Sequence, residues 1–226
     1  MNIIYLSDFN CIYSYIGLNR IKNTVFELDL DVEWEMKSFE LLPGANNISA
    51  MERFASDNKL SIDEAKKEIE EIESIAANEG LNVNYKDLII NSSKDAHRLA
   101  KYVQNRHPES AQELIFKIFE SNFIKNENIA DHDVLINIAA SCGLNESAIA
   151  EMLKKDSLEI EVELDIEEAV SYGITRIPYY IIEYKGERLT IPGVFEKKDF
   201  ETAFKDLISG EIKNKSYIGR IDFNLI

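Results

Sequence analysis

The hydrophobic period of this chain switches early and repeatedly. Ile3 to Leu6 form a short apolar run of strand character, closed by Ser7 and Asp8. From Ser14 onward Tyr15, Ile16, Leu18, Ile21, Val25, Phe26 and Leu28 recur at helical spacing. Between Asp31 and Phe39 the period falls to two, with Val32, Trp34 and Met36 opposing Glu33, Glu35 and Lys37. That alternation predicts a half-buried strand, broken by Pro43 and Gly44. Strand, helix and strand in this order predict a βαβ unit with parallel strands and a right-handed crossover.

The middle of the chain reads as helix. Ser61 and Glu64 form a capping-box signature ahead of Ile62, Ala65, Ile69, Ile72 and Ala76, and Gly80 stops the run. Ser92 and Asp95 open a second helix through Ala96, Leu99, Ala100 and Val103, which ends near His107 and Pro108. Leu114, Ile115, Ile118 and Phe119 mark a third. Asp131 starts a fourth, stopped by Gly143, and Asn145 caps a fifth through Ile149, Met152 and Leu153. A last helix is predicted over 165–172, ended by Gly173. Strand signals then return in Tyr179 to Tyr184. Lys185 and Gly186 make a tight turn, and Arg188 to Ile191 complete a hairpin. After Pro192 and Gly193, residues 195–208 predict an amphipathic helix, and 209–226 a short extension packed on the body. The sum is α/β: a thioredoxin fold with an inserted all-helical domain. Residues 1–42 and 173–226 are expected to form the thioredoxin-like domain, and 43–172 the insertion.

Composition narrows the function classes. A 45% hydrophobic share supports a real core, and 9 Gly and 4 Pro exclude a low-complexity chain. The formal net charge is −16 with a pI near 4.7, which argues against nucleic-acid partners and anionic membranes. No apolar run reaches the ~18 residues of a membrane span. The opening residues lack the basic start and small-residue cleavage site of a signal peptide. Only Cys11 and Cys142 are present, too few for a secreted disulfide framework. A reducing, cytoplasmic setting is the expectation. Two cysteines and the scattered His97, His107 and His132 give no metal-ligand spacing, so no metal is expected.

Cys11 stands between the first strand and the first helix. The free N–H groups and dipole of a helix start favour an anion, so the position predicts a thiol of lowered pKa. Ser14, three residues on, is placed to hydrogen-bond the sulfur. The alternative is a small buried hydrophobe. Pro178 immediately precedes a strand, which suits either a cis bond after Ile177 or an ordinary trans proline at a strand start. Cys142 sits at a helix end and suits inert packing better than a resolving role. His107 and His132 look solvent-facing, and Glu64, Glu68, Glu70, Glu71 and Glu73 a solvated helix face.

The run Asp8-Phe9-Asn10-Cys11-Ile12-Tyr13-Ser14-Tyr15-Ile16-Gly17 resembles the active-site segment of the DsbA superfamily, in particular its FrnE-like branch. Asp95-Ala96-His97-Arg98-Leu99 and Ala140-Ser141-Cys142-Gly143-Leu144 are similar to that branch's helical-domain signatures. Gly173 to Tyr180 resembles the family loop that carries a cis proline, and Ile191-Pro192-Gly193 its later turn. The resemblance spans residues 3 to 208. It implies a thiol–disulfide oxidoreductase with Cys11 as nucleophile and Ser14 as its hydrogen-bond partner. Ile177, Pro178, Tyr13 and His97 would bind substrate, with His97 above the thiol in a groove walled by the insertion. The family's second active-site cysteine is Ser14 here, and its proline is Ile12. The usual disulfide within the motif therefore cannot form, so the chain either works as a monothiol or has left redox chemistry.

The expected partner is a thiol or disulfide substrate, protein or small molecule. No cofactor is expected beyond glutathione or another low-molecular-weight thiol as cosubstrate, and the oligomeric state stays open. The run Ile12-Tyr13-Ser14-Tyr15 is also similar to that of kappa-class glutathione transferases and hydroxychromene carboxylate isomerases, which implies that Cys11 orients a bound thiol. A non-catalytic binding protein is the third reading.

Overall fold

The computed structural model describes residues 1–211. The part of the expected extension beyond Glu211 lies outside the described residues. The chain opens with β1 (Asn2–Ser7), α1 (Ile12–Glu27) and β2 (Glu33–Ser38). The two strands are parallel, in register from Asn2 on Glu33 to Ser7 on Ser38. Helix α1 begins at Ile12, earlier than periodicity alone indicates, because Cys11 with extended backbone serves as its N-cap.

The stretch after Gly44 carries elements that the pattern does not announce. Strand β3 (Ile48–Ser49) leads into α2 (Ala50–Asn58), where the Ser49 hydroxyl accepts from the Glu52 amide at 3.3 Å. Ala50, Phe54 and Ala55 are buried, but a helix this short, crossed by Glu52, Arg53 and Asp57, leaves too few repeats to show a period. Helix α3 (Ile62–Asn78) carries the full capping box: Glu64 N–H donates to Ser61 Oγ, and Ser61 N–H to Glu64 Oε2. Its buried face is Ala65, Ile69, Ile72 and Ala76, as the spacing predicts. Strand β4 (Ile89–Ile90) pairs antiparallel with β3.

Helices α4 (Lys94–Arg106), α5 (Pro108–Phe123), α6 (His132–Ser141) and α7 (Glu146–Leu153) follow the predicted order. Helix α8 (Glu159–Ser171) starts well before the expected 165. Its opening turn is acidic, as helix starts often are, but the preceding Leu158 takes a left-handed φ of 65° and supplies no side-chain cap, so the cap signal that marks a start in sequence is missing. Strands β5 (Tyr179–Tyr184) and β6 (Glu187–Pro192) form the hairpin. Lys185 and Gly186 both take positive φ, 48° and 83°, as a tight hairpin turn requires. Helix α9 (Lys197–Ser209) ends the described chain.

The sheet order is β2-β1-β5-β6, with β5 and β6 antiparallel to their neighbours. Helices α1 and α9 pack together, while α4 and α8 pack at β2. The outer edge of β2 is closed by side chains. Gln104 accepts from the Met36 amide at 2.6 Å and donates to the Met36 carbonyl at 3.1 Å. Asp165 accepts from the Ser38 amide at 2.8 Å and pairs with Lys101 and Lys37. These contacts satisfy the polar groups of an edge strand that would otherwise invite foreign pairing. On α1, Tyr15 stacks on Phe119 and Phe123 of α5, with centroids 5.2 and 6.1 Å apart. That stack fixes the helical block to the helix that carries the thiol. Among the described residues, no helix is long and apolar enough to cross a membrane.

Gly17 marks the tightest contact between α1 and the sheet. A Cβ there would lie 2.2 Å from Tyr180 Oη, a buried hydroxyl with no hydrogen-bond partner. Gly17→Ala should therefore lower stability by about 1–3 kcal/mol from overpacking, against a helix-propensity gain of roughly 1 kcal/mol. In a Tyr180→Phe background the same substitution should become neutral or stabilising. Urea midpoints of the four proteins check this, and additive effects would show that the contact does not limit the packing.

Candidate active site

The site grows out of the turn between β1 and α1. The Cys11 amide donates to the Asp8 carbonyl at 3.0 Å, and the Cys11 carbonyl accepts from Ser14 and Tyr15 as the helix begins. Asp8 is fully buried. Its Oδ1 accepts from the Asn10 amide at 3.1 Å, and its Oδ2 from the Leu41 amide at 2.7 Å. Asn10 donates to the Asn91 carbonyl at 2.8 Å. Asn122 of α5 donates to the Phe9 carbonyl at 2.8 Å. The helical block thus grips the turn from α5 and from the segment after β4.

Strand register brings the second half of the site alongside. Leu6 of β1 pairs with Tyr179 of β5, so residues 177 and 178 fall level with the turn that leads to Cys11. The Ile177–Pro178 bond is cis. The Pro178 carbonyl accepts from Gly193 at 2.7 Å, while among the described residues the Ile177 amide and carbonyl make no hydrogen bond. Cys11 is buried in one apolar cluster with Leu6, Ala169, Ile174 and Ile177. It borders a cavity of about 160 Å³ that also touches Tyr13, Arg53, Tyr85 and Ile177. Arg53 is held by Asp57, four residues on in α2.

The expected lowering of the Cys11 pKa does not occur. Only 6% of the residue is exposed, and burial pushes the thiol up to about 11. The Ser14 hydroxyl is the strongest opposing influence, followed by the Ser14 amide, and Asp8 adds to the rise. A helix start can stabilise a thiolate only as far as its N–H groups outweigh the lost water. Ser14 Oγ has no hydrogen-bond partner in this resting geometry, yet stands close enough to the sulfur to favour its charged form. Tyr13 has a buried hydroxyl without a partner, and burial, then the neighbouring Cys11, raises its pKa.

His97 differs from its expected place. The ring is fully buried and does not border the cavity. Its Nε2 lies 3.4 Å from Asp8 Oδ1, and Phe9 covers the ring at a centroid distance of 4.9 Å. Cys142 caps the end of α6 beside Lys117, away from the cavity lining. Among the described residues no group of three or more metal-ligating side chains comes together. Sequence reasoning missed Asp8, Asn10, Arg53, Tyr85 and Asn122. The polar pair around Phe9 was the one available signal, because polar residues seldom flank a buried aromatic without partners.

A thiol at a helix start beside a cis proline, on a mixed sheet in this order, defines a thioredoxin-fold protein of the DsbA type. The DSBA-like thioredoxin domain family model matches residues 2–205, and the chain belongs to that family. It is 24% identical to the YwbO protein of Bacillus subtilis over 216 residues, covering 91% of this chain and 96% of that one. The structure is similar to that of a probable DsbA oxidoreductase from Streptomyces coelicolor, with a TM-score of 0.82, 22% identity and coverage of 99% and 94%. It is also similar to a 2-hydroxychromene-2-carboxylate isomerase, with a TM-score of 0.65, 12% identity and coverage of 96% and 100%.

Because the thiol is disfavoured as an anion, its alkylation by iodoacetamide should keep accelerating past the ordinary thiol range of about 8.5, toward pH about 11. Ser14→Ala should move the rise further up, since the hydroxyl favours the charged form. A rate that levels off near pH 7 would show a thiolate stabilised beyond what this geometry supports.

Proposed function

We propose that the chain is a thiol–disulfide oxidoreductase of the DsbA type, close to its FrnE-like branch, acting in the cytoplasm through Cys11 as its one reacting thiol. The observation that carries the reading is the pairing of Cys11 with the Ile177–Pro178 segment across a small cavity. The free backbone groups of Ile177 suit an extended stretch of substrate. The Cys11 thiolate attacks one sulfur of a substrate disulfide, forming a mixed disulfide and releasing the other half as a thiolate. An external low-molecular-weight thiol, glutathione or one like it, then attacks the mixed disulfide. It leaves joined to the substrate sulfur, and Cys11 is regenerated. The electrons come from that external thiol, so no internal resolving cysteine is needed.

The direction of the thiol's pKa shift supports reduction of disulfides over their formation. In a strong thiol oxidant the thiolate is the stabilised form. Here burial outweighs the helix start, and an unstabilised thiolate gives up its electron pair readily once formed. Ser14 holds the place of the second thiol and supports the Cys11 anion through its hydroxyl. The helical block, read as the inserted domain, contributes Arg53, Phe54, Asp57 and Tyr85 to the cavity wall.

A second reading is an isomerase or transferase in which Cys11 orients a bound thiol without bonding to it. The elevated thiol and the unpartnered Tyr13 hydroxyl beside it favour this alternative.

Intact mass after exposure to oxidised glutathione separates the two. The oxidoreductase should take up one glutathione, released by dithiothreitol and absent in Cys11→Ser. Ser14→Cys should form an internal disulfide with Cys11 under mild oxidant, since both lie in one helical turn. No adduct on Cys11, with glutathione-dependent turnover surviving Cys11→Ser, would favour the second reading instead.

A further inference from the structure

The charges around the cavity run against the charge of the whole chain. The formal net charge is −16, and a field of that sign keeps small anions away. Among the described residues that border the cavity, the charged ones are Arg53, Asp57 and Arg176, two cations to one anion. Asp8, the nearest other carboxylate to the thiol's turn, does not border it and is met by the Asn10 and Leu41 amides. Arg53 and Asp57 stand one turn apart on α2, with Arg53 Nε 2.5 Å from Asp57 Oδ2. Their side chains are 41% and 38% exposed, which puts both charges at the mouth of the cavity. Among the described residues the two terminal nitrogens of Arg53 make no hydrogen bond. The fork of the guanidinium is therefore open to a ligand.

We propose that the cavity selects for a carboxylate on the small thiol that serves Cys11, and that Arg53 reads that carboxylate through its open terminal N–H groups. This deepens the oxidoreductase reading and rests on Cys11 as the reacting thiol. An exposed ion pair four residues apart on a helix is weak, so a ligand carboxylate takes a share of the guanidinium at small loss. The planar fork matches a carboxylate in a way that an ammonium does not. In the exchange the incoming thiol gives its proton to solvent, and its sulfur bonds the substrate sulfur. The bond from that sulfur to Cys11 breaks, and the electron pair stays on Cys11. Arg53 takes no part in those bonds; it holds the far end of the thiol.

Size and reach agree with a short carboxylate arm. The volume of about 160 Å³ is close to the ~150 Å³ that admits a benzene-sized ligand. A sulfur and a few carbons ending in a carboxylate fit, and a larger thiol leaves its remainder at the mouth. Tyr85 ties the two ends together. Its hydroxyl is raised in pKa by burial first and then by Cys11 and Tyr13, with Asp57 adding to the rise and Arg53 opposing it. The sulfur and the ion pair thus both lie within electrostatic reach of one side chain that borders the cavity. An uncharged thiol gains nothing from Arg53, and a cationic one meets two guanidiniums and an aspartate already paired.

The test compares two alkylating agents of one size and one leaving group, anionic iodoacetate and neutral iodoacetamide, on the full chain carrying Cys142→Ser. The ratio of their rates at Cys11 cancels the thiolate fraction, and dividing by the same ratio in the urea-unfolded chain leaves the effect of the site. That quotient should exceed one by roughly fivefold, from one close cation at the mouth, whereas the net charge alone would push it below one. Arg53→Gln should remove most of the preference, and Arg53→Lys, which keeps the charge but not the fork, should retain part of it. Asp57→Asn should raise it above wild type. A wild-type quotient at or below one would overturn the proposal, as would an unchanged quotient in Arg53→Gln with native circular dichroism. Should Arg53→Gln fail to fold, salt decides. Raising KCl to about 1 M, where the screening length is ~3 Å, should bring the quotient down toward one, and a rise instead would show repulsion alone and refute the site. Mixed-disulfide uptake from 3,3′-dithiodipropionate and from 2-hydroxyethyl disulfide, read by intact mass, keeps the questions apart. Faster uptake from the dicarboxylate supports both readings. Uptake from neither, with the alkylation preference intact, would retain the carboxylate site and remove the oxidoreductase reading. Equal uptake from both, with a quotient of one, would do the reverse.

Discussion

A carboxylate with no access to water must be met by donors, and Asp8 is that carboxylate. Burying an unpaired charge costs several kcal/mol in order of magnitude, so the chain around Asp8 has little freedom. The Asn10 amide fixes the turn, the Leu41 amide fixes the chain leaving β2, and His97 fixes α4 against both. These three come from the thioredoxin-like βαβ unit and from the helical block. One charge thereby sets the distance between the thiol's helix and the wall above it. Asn122 and Asn91 repeat the same logic next door, where they receive or bind the groups of Phe9 and Asn10.

That arrangement explains why position at a helix start does not by itself make a reactive thiolate. The N–H groups of Tyr13 and Ser14 do favour the Cys11 anion, and so does the Ser14 hydroxyl. Against them stand the loss of water and the negative end of Asp8. The outcome turns on exposure: in an open groove the helix start would win, and in a closed apolar cluster of Leu6, Ala169, Ile174 and Ile177 it loses. The state of the thiol at rest is therefore set by a few fixed groups.

The sheet was legible in the sequence because its signals are local. The period-two run at 31–39, the aromatic and β-branched run at 179–184 and the Lys185-Gly186 turn each announce themselves within a few residues, as does the capping box at Ser61 among the helices. Helix α2 and the β3–β4 pair were not legible, since a two-residue strand has no period and its partner lies about forty residues away. The start of α8 was hidden for another reason, as a left-handed Leu158 leaves no cap residue to read. At the site, Cys11, Ser14, Tyr13 and the Ile177–Pro178 pair could be named from sequence because they lie beside the helix start and strand start that define them. Whether the thiol is wet or dry could not, because the burial comes from Ala169 and Ile174, far along the chain. His97 was found as a residue but not in its place, buried against Asp8. Only the folded chain shows that its partner is Asp8.

The loss of the second thiol shapes what the rest of the site can do. In the proposed exchange, with Ser14 in that place, the leaving half of a substrate disulfide would depart before an external thiol reached the same sulfur. Both use one cavity of about 160 Å³, which has room for a small group at a time. Arg53, Tyr85 and Thr175 share that lining with Cys11. In a dithiol relative the resolving group is built in and always present, and the wall has no part in selecting it. Under the proposed function any selection of the external thiol would fall to that lining, to which α2 contributes Arg53, Phe54, Asp57 and Asn58. The helix that the sequence least announces is thus one that brings Arg53, Phe54 and Asp57 to the cavity beside Cys11.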